Sequence, residues 1–287
     1  MGSQRTRQTI KWGFFIFFAP VALWLFILIV LPHLELLRIS FVDSATQGFT
    51  LDNYLAFFLE PIYWRTFVRT AIYSVTVTVL VLILSLPLAF YITKVAGVKA
   101  KGVLMVLILL PFWVSELIRV YGWMILLRES GVFNTLLVNT GIFKAPVEML
   151  YNDAAMIMGL CYTSMMFMIV PVTGVMGSMD DSLIEAAHDL GAGKLAIWKE
   201  IIIPYSMPGI MSGSIMVFML VLGSYLTPKL MGGKNSLWFT EQIYNQIIVY
   251  FNWNQGSAFG FLLLALSSLI IWAALKITRQ EFTKVVK

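Results

Sequence analysis

Two ionisable residues stand where an apolar sequence should have none. The stretch PFWVSELIRVYGW carries Glu116 and Arg119 inside Val103–Leu127, a run long enough to cross a bilayer. Three residues apart, they share one face of a helix. At 1.5 Å per residue from Val103 they fall roughly 20 to 24 Å along a straight helix, in the outward half of the membrane. Charges at that depth are costly unless paired or wetted, so two readings stand side by side. One is a solute pathway, with Trp113, Tyr121 and Tyr225 as further wall residues. The other is a mutually neutralising pair that snorkels to the outer interface beside Tyr121 and Trp123. Pro111, a few residues before Glu116, removes a helix hydrogen bond, and such a break often borders a binding cavity. Pro87 and Pro171 permit the same at other depths.

Other chemistry is excluded more simply. Gly193-Lys194 has the look of a phosphate-binding loop, but that loop would need glycine at His188 and a hydroxyl at Leu195. Any ATP that drives this protein is therefore expected on another chain. His33 and His188 belong to opposite membrane faces, and no aspartate lies within an expected span, so a membrane-embedded hydrolase has no nucleophile–base pair. One cysteine, Cys161, gives no disulfide framework, and no zinc or haem ligand set is apparent. No cofactor or metal is expected in the chain.

The longest polar interruption is Asp180–Pro208, DDSLIEAAHDLGAGKLAIWKEIIIPYSMP. Flanked by spans, it must lie in water. Ser182 and Glu185 have the spacing of a capping box and predict a short helix from Ser182. Gly191 ends it, since glycine takes the left-handed C′ conformation without steric penalty. Ala186 and Ala187 are expected to give the helix a face almost without bulk, which another protein's surface could approach closely.

The chain that positions these residues has 287 residues, 59% of them hydrophobic and 12% charged, with a net charge of +5. Its mean hydropathy of +0.84 lies outside the range of soluble domains. Six runs qualify as spans: Trp12–Leu31, Phe67–Ile92, Val103–Leu127, Ala154–Val175, Pro208–Thr227 and Ala258–Ile277. The first is too long for a signal peptide and lacks a small-residue cleavage site, so it reads as a retained span. The basic residues Arg5, Arg7 and Lys11, then Lys94, Lys99 and Lys101, then Lys276, Arg279, Lys284 and Lys287 fall on one face. The positive-inside rule makes that face, and both termini, cytoplasmic. Because the charge clusters beside spans, nucleic-acid binding is discounted. The central loop lands on the same face with five carboxylates against two lysines, so docking explains its charge better than orientation does.

The outward segments are rich in aromatics, among them Tyr54, Phe57, Trp238 and Phe239, and read either as an interfacial belt or as a docking surface. Met156, Met158, Met165, Met166 and Met168 make the fourth span adaptable, and Gly209, Ser212, Gly213 and Ser214 give the fifth small contact positions. The expected organisation is a single all-α membrane domain over residues 1–287.

Glu185-Ala186-Ala187, Gly191 and Ile201-x-Ile203-Pro204 together resemble the EAA loop of ABC importer permeases, with Ile203 where leucine is usual. Leu51-Asp52-Asn53-Tyr54, Pro111-Phe112-Trp113, Leu117-Ile118-Arg119-Val120-Tyr121 and Leu230-Met231-Gly232-Gly233 are similar to the spermidine/putrescine permeases in order and spacing. Lys229 departs from that pattern, where an aspartate is expected, and does not favour a polycation. The resemblance implies the six-helix type I importer fold in a bacterial inner membrane. It also implies a coupling helix carrying Glu185, Ala186, Ala187, Asp189, Leu190 and Gly191, docked on an ATP-hydrolysing subunit that binds ATP and magnesium. The implied partners are a second related permease, two ATP-binding cassette subunits, a periplasmic solute-binding protein and membrane lipid. The solute is then a polyamine, or else an opine, an amino-acid-like compound or another small organic molecule. A stand-alone secondary transporter, which should carry its own coupling-ion site, is the distant rival.

Overall fold

The computed structural model describes residues 18–278, and the regular structure of the described residues is helical apart from one isolated bridge, Val42 with Phe49. Arg5, Arg7, Lys11, Arg279, Lys284 and Lys287, and the start of the first expected span, lie outside the described residues. Among the described residues, five helices are long and apolar enough to cross a membrane: α1 (Phe18–Ser40), α3 (Pro61–Val95), α7 (Asp153–Gly177), α9 (Lys194–Leu222) and α12 (Trp253–Thr278). Shorter helices are α2 (Asp52–Leu59), α4 (Val98–Leu109), α5 (Glu116–Leu127), α6 (Val132–Asn139), α8 (Ser182–Asp189), α10 (Leu226–Met231) and α11 (Phe239–Tyr244). The expected third span is not one helix. After α4 a 3₁₀ turn, Leu110–Trp113, and extended Val114 turn the chain, and Val98–Trp113 meets Glu116–Asn139 at 97°. Pro111 sits in that turn. Pro87 and Pro171 lie inside unbroken helices.

Two compact units divide the chain. One comprises Met1–Pro61 and Gln242–Leu263. In it Asn53 donates to the carbonyls of Ser40 and Val42, Tyr54 bonds Ser40 Oγ at 2.8 Å, and Asn254 donates to Ile39 and Val42. Asn53 thus ties α2 to carbonyls at and just past the end of α1, and Tyr54 to the Ser40 hydroxyl.

The other unit comprises Ile62–Glu241 and Leu264–Lys287. Its centre is the packing of α7 on α9. A Cβ on Gly209 would lie 2.7 Å from Pro171 O, and one on Gly213 2.8 Å from Met168 Sδ, so these glycines let two helices of the same chain touch. Met156 and Met168 fill the core, whereas Met158, Met165 and Met166 are half-buried. Along α3, Thr66, Thr70, Ser74 and Thr78 recur every fourth residue, and each hydroxyl donates to the carbonyl four residues back. This buried stripe lets polar side chains face protein without orphan donors. Trp238 and Phe239, expected at an interface, are fully buried: Trp238 stacks on Tyr73, and Phe239 N–H donates to Thr70 Oγ1.

Candidate functional site

At the break before α5 the chain borders a cavity of about 500 Å³. Its wall includes Phe112, Glu116, Arg119, Thr163, Ser164, Phe167, Ser224 and Tyr225, so three segments meet there: the α4–α5 bend, the middle of α7 and the end of α9. That volume is in the range of small-molecule sites. Of the five pathway residues expected from sequence, Glu116, Arg119 and Tyr225 come together. Trp113, 85% exposed, and Tyr121, 47% exposed, do not line it.

The expected Glu116–Arg119 neutralising pair is not formed. Glu116 accepts from Thr227 Oγ1 at 3.0 Å, and the ion pairs among the described residues join other partners. Two helix ends border the two side chains. Glu116 is the first residue of α5, at the positive pole of that helix. Arg119 shares the cavity wall with Leu220, Val221 and Gly223 at the C-terminal end of α9. The Nε of Arg119 is buried without a hydrogen-bond partner. The straight-helix position computed from Val103 also fails, because the bend re-aims everything after Val114.

Lys229 is neutralised, being paired with Glu241. On the same side, Asp153 at the start of α7 accepts from Arg69, Ser236 and Tyr73, and Arg69 also donates to Asn235 O. This clamp fixes the Gly232–Trp238 loop against α3 and α7. Neither this clamp nor Thr163, Ser164, Phe167 and Ser224 on the cavity wall was expected from the sequence. Hydroxyls adjacent at 163 and 164 inside an apolar run were the available signal for two of them.

The polar interruption is shorter than expected. Only residues 178–193 lie between the long helices, because Lys194 already begins α9 and Ile201, Ile203 and Pro204 lie within it. A π-helical turn, Trp198–Ile202, precedes Pro204. Within the loop α8 forms as expected, but not through a capping box. Ser182 is its first residue, and its backbone N–H donates to Asp180 Oδ1 at 3.0 Å. That bond, with a second from the Ser182 hydroxyl, holds the Asp180 carboxyl below the usual carboxylate range. Glu185 is exposed and makes no capping bond back to Ser182. At the far end Gly191 adopts φ +79°. Its N–H reaches His188 O and the N–H of Ala192 reaches Ala187 O, a Schellman closure. The two alanines do not share a face: Ala187 is buried and Ala186 exposed, as successive helix positions about 100° apart require. Exposed Glu185, Ala186, Asp189, Leu190 and Gly191 form the outer surface, with Leu190 88% exposed.

No family model matches the chain. Curated relatives do. The chain is 33% identical to the spermidine/putrescine transport system permease protein PotB of Haemophilus influenzae, over 87% of this chain and 88% of that one. It is 33% identical to PotB of Escherichia coli, over 90% of this chain and 96% of the relative. The chain belongs to the spermidine/putrescine transport permease family. It is a permease subunit of a binding-protein-dependent ABC importer. Among solved structures, that of a bacterial alginate ABC transporter in complex with an alginate-pentasaccharide-bound periplasmic protein has a chain with a TM-score of 0.77 at 17% identity. The match covers 96% of the permease and 98% of that chain, and it shows the shared fold.

Proposed function

We propose that this permease carries a polyamine of the spermidine/putrescine type across a bacterial inner membrane, with both termini in the cytoplasm. The supporting observation is one-third identity to PotB proteins along nearly the whole chain. The cavity suits the solute: Glu116 offers a carboxylate, and Phe112, Phe167 and Tyr225 offer ring faces to an ammonium group. Pairing of Lys229 with Glu241 removes the repulsion that an isolated lysine would exert on a cation. A second related permease completes the pathway, and a periplasmic binding protein delivers the solute. The exposed surface of α8, with Ala187 as its buried anchor, docks on one of two ATPase subunits. Those subunits hold ATP and magnesium, and this chain catalyses nothing itself.

Arg119 favours a second reading, a solute that carries an acid as well as an amine. Uptake into vesicles holding the purified complex, with the partner binding protein and a panel of putrescine, spermidine, amino acids and an opine, separates the two. ATP-dependent uptake of the polyamines is expected. Uptake of the amphoteric solutes alone would install the second reading, and uptake without the ATPase would restore a stand-alone transporter.

A further inference from the structure

Lys94 lies in a basic cluster that orientation alone would explain, yet its side chain is only 6% exposed. An ammonium in water gains nothing from such burial, and one taken out of water needs partners. It has two: its Nζ donates to Met179 O and, at 2.5 Å, to Asp181 Oδ1. Met179 follows the end of α7, and Asp181 is the residue from which α8 starts. Lys94 itself sits in the last, π-helical turn of α3, Tyr91–Val95. One ammonium therefore joins the ends of three helices.

The same end of α3 makes apolar contacts as well. Phe90 packs on Trp198 of α9 with ring centroids 5.1 Å apart, and Ala89 and Ala187 belong to one buried cluster with Met176 and Met179. Such π-helical turns recur at functional sites.

We propose that Lys94 is a positioning residue for energy coupling, seating α8 on the π-helical end of α3 so that a displacement of α8 moves α3 and α7 together. The proposal rests on the assignment of α8 as the ATPase-docking helix. It differs from that assignment in naming a residue of α3 that is buried against the start of α8 rather than exposed on its surface.

The test uses the complete complex in lipid vesicles, reading three quantities: ATPase subunits retained, basal hydrolysis, and stimulation by spermidine-loaded binding protein. Lys94→Met should leave the first two unchanged and lower stimulation about fivefold or more. Lys94→Arg, which can still donate to both oxygens, should recover at least half of it. Asp181→Asn should give a smaller loss, and the double variant should be no worse than Lys94→Met alone, because the two side chains act as one unit. Wild-type stimulation in Lys94→Met, or strictly additive losses in the double variant, would overturn the proposal. If Lys94→Met does not assemble, exposed Asp181 decides: unchanged stimulation in Asp181→Asn rejects the role, and reduced stimulation with intact assembly upholds it. Ala186→Trp serves as the parallel control. Normal transport by that variant removes the docking assignment itself, whereas its failure beside a normal Lys94→Met removes only the role of the lysine.

Discussion

Glu116 stands at a helix start and accepts from a threonine hydroxyl, and Arg119 is no part of that arrangement. The consequence is testable by a double-mutant cycle. Glu116→Gln should leave assembly intact and lower uptake about tenfold, the scale of one charge-assisted hydrogen bond. Adding Arg119→Gln should not restore it, since no ion pair is broken by the first change. Recovery of uptake and thermal stability in the double variant would reinstate the pair and refute the geometry. Residue types and spacing made both charges conspicuous in the sequence, but spacing alone could not say whether they meet. Three apart on a helix is a statement about backbone positions. The rotamers that carry Glu116 toward Thr227 depend on α10, which lies more than a hundred residues away in the chain. Trp113 and Tyr121 fail for a related reason. They flank the charges in sequence, but the turn at Val114 and the helical phase aim them elsewhere.

Elements were legible where local chemistry determines them. Gly191 is the clearest case: a glycine closing a short helix implied a left-handed residue, and φ is +79° with a Schellman closure. Because a Cβ there would meet nothing within 4 Å, substitution strains the backbone rather than the packing. Gly191→Asn should therefore retain the ATPase subunits and transport. Gly191→Ile, with a β-branched residue forced left-handed at roughly 1–2 kcal/mol, should lose both while the protein still inserts. Co-purification of the ATPase with each variant reads this directly. The helix–helix contact predicts the opposite kind of sensitivity. Gly213→Ala must push Met168 aside and should destabilise by about 1–3 kcal/mol, whereas Gly174→Ala, with open space around its Cβ, should be neutral. Thermal unfolding of the purified complex distinguishes them. The bend between α4 and α5 was only half legible. Pro111 marked a weak point, but so did Pro87 and Pro171, and those helices continue. The difference is that α3 and α7 are packed along much of their length, while α4 has no buried residue to hold it straight.

At the scale of the whole molecule, the count of spans among the described residues depends on that bend: five continuous helices, or six if the bent pair crosses as one. The two counts differ in what they imply. With six crossings the Lys99–Gly102 region and α8 lie on one face and the 232–238 loop lies on the other, whereas with five the assignment of everything after α4 inverts relative to α3. Basic residues argue for six, although Lys94 should be removed from that tally because its charge is spent on Met179 and Asp181 rather than left in water. Cysteine labelling decides the matter. Gly102 is exposed with nothing within 4 Å of its Cβ, and Lys234 is exposed in the 232–238 loop, while Ser236 is buried and bonded to Asp153. In a Cys161→Ala background, Gly102→Cys should react with a membrane-impermeant thiol reagent only in inside-out vesicles, and Lys234→Cys only in intact spheroplasts. Both cysteines reacting from the same side would mean that the bent pair re-enters instead of crossing. It would then place α8 opposite the face where Lys99 and Lys101 lie, and an ATPase docked on α8 would be incompatible with the orientation argued from charge.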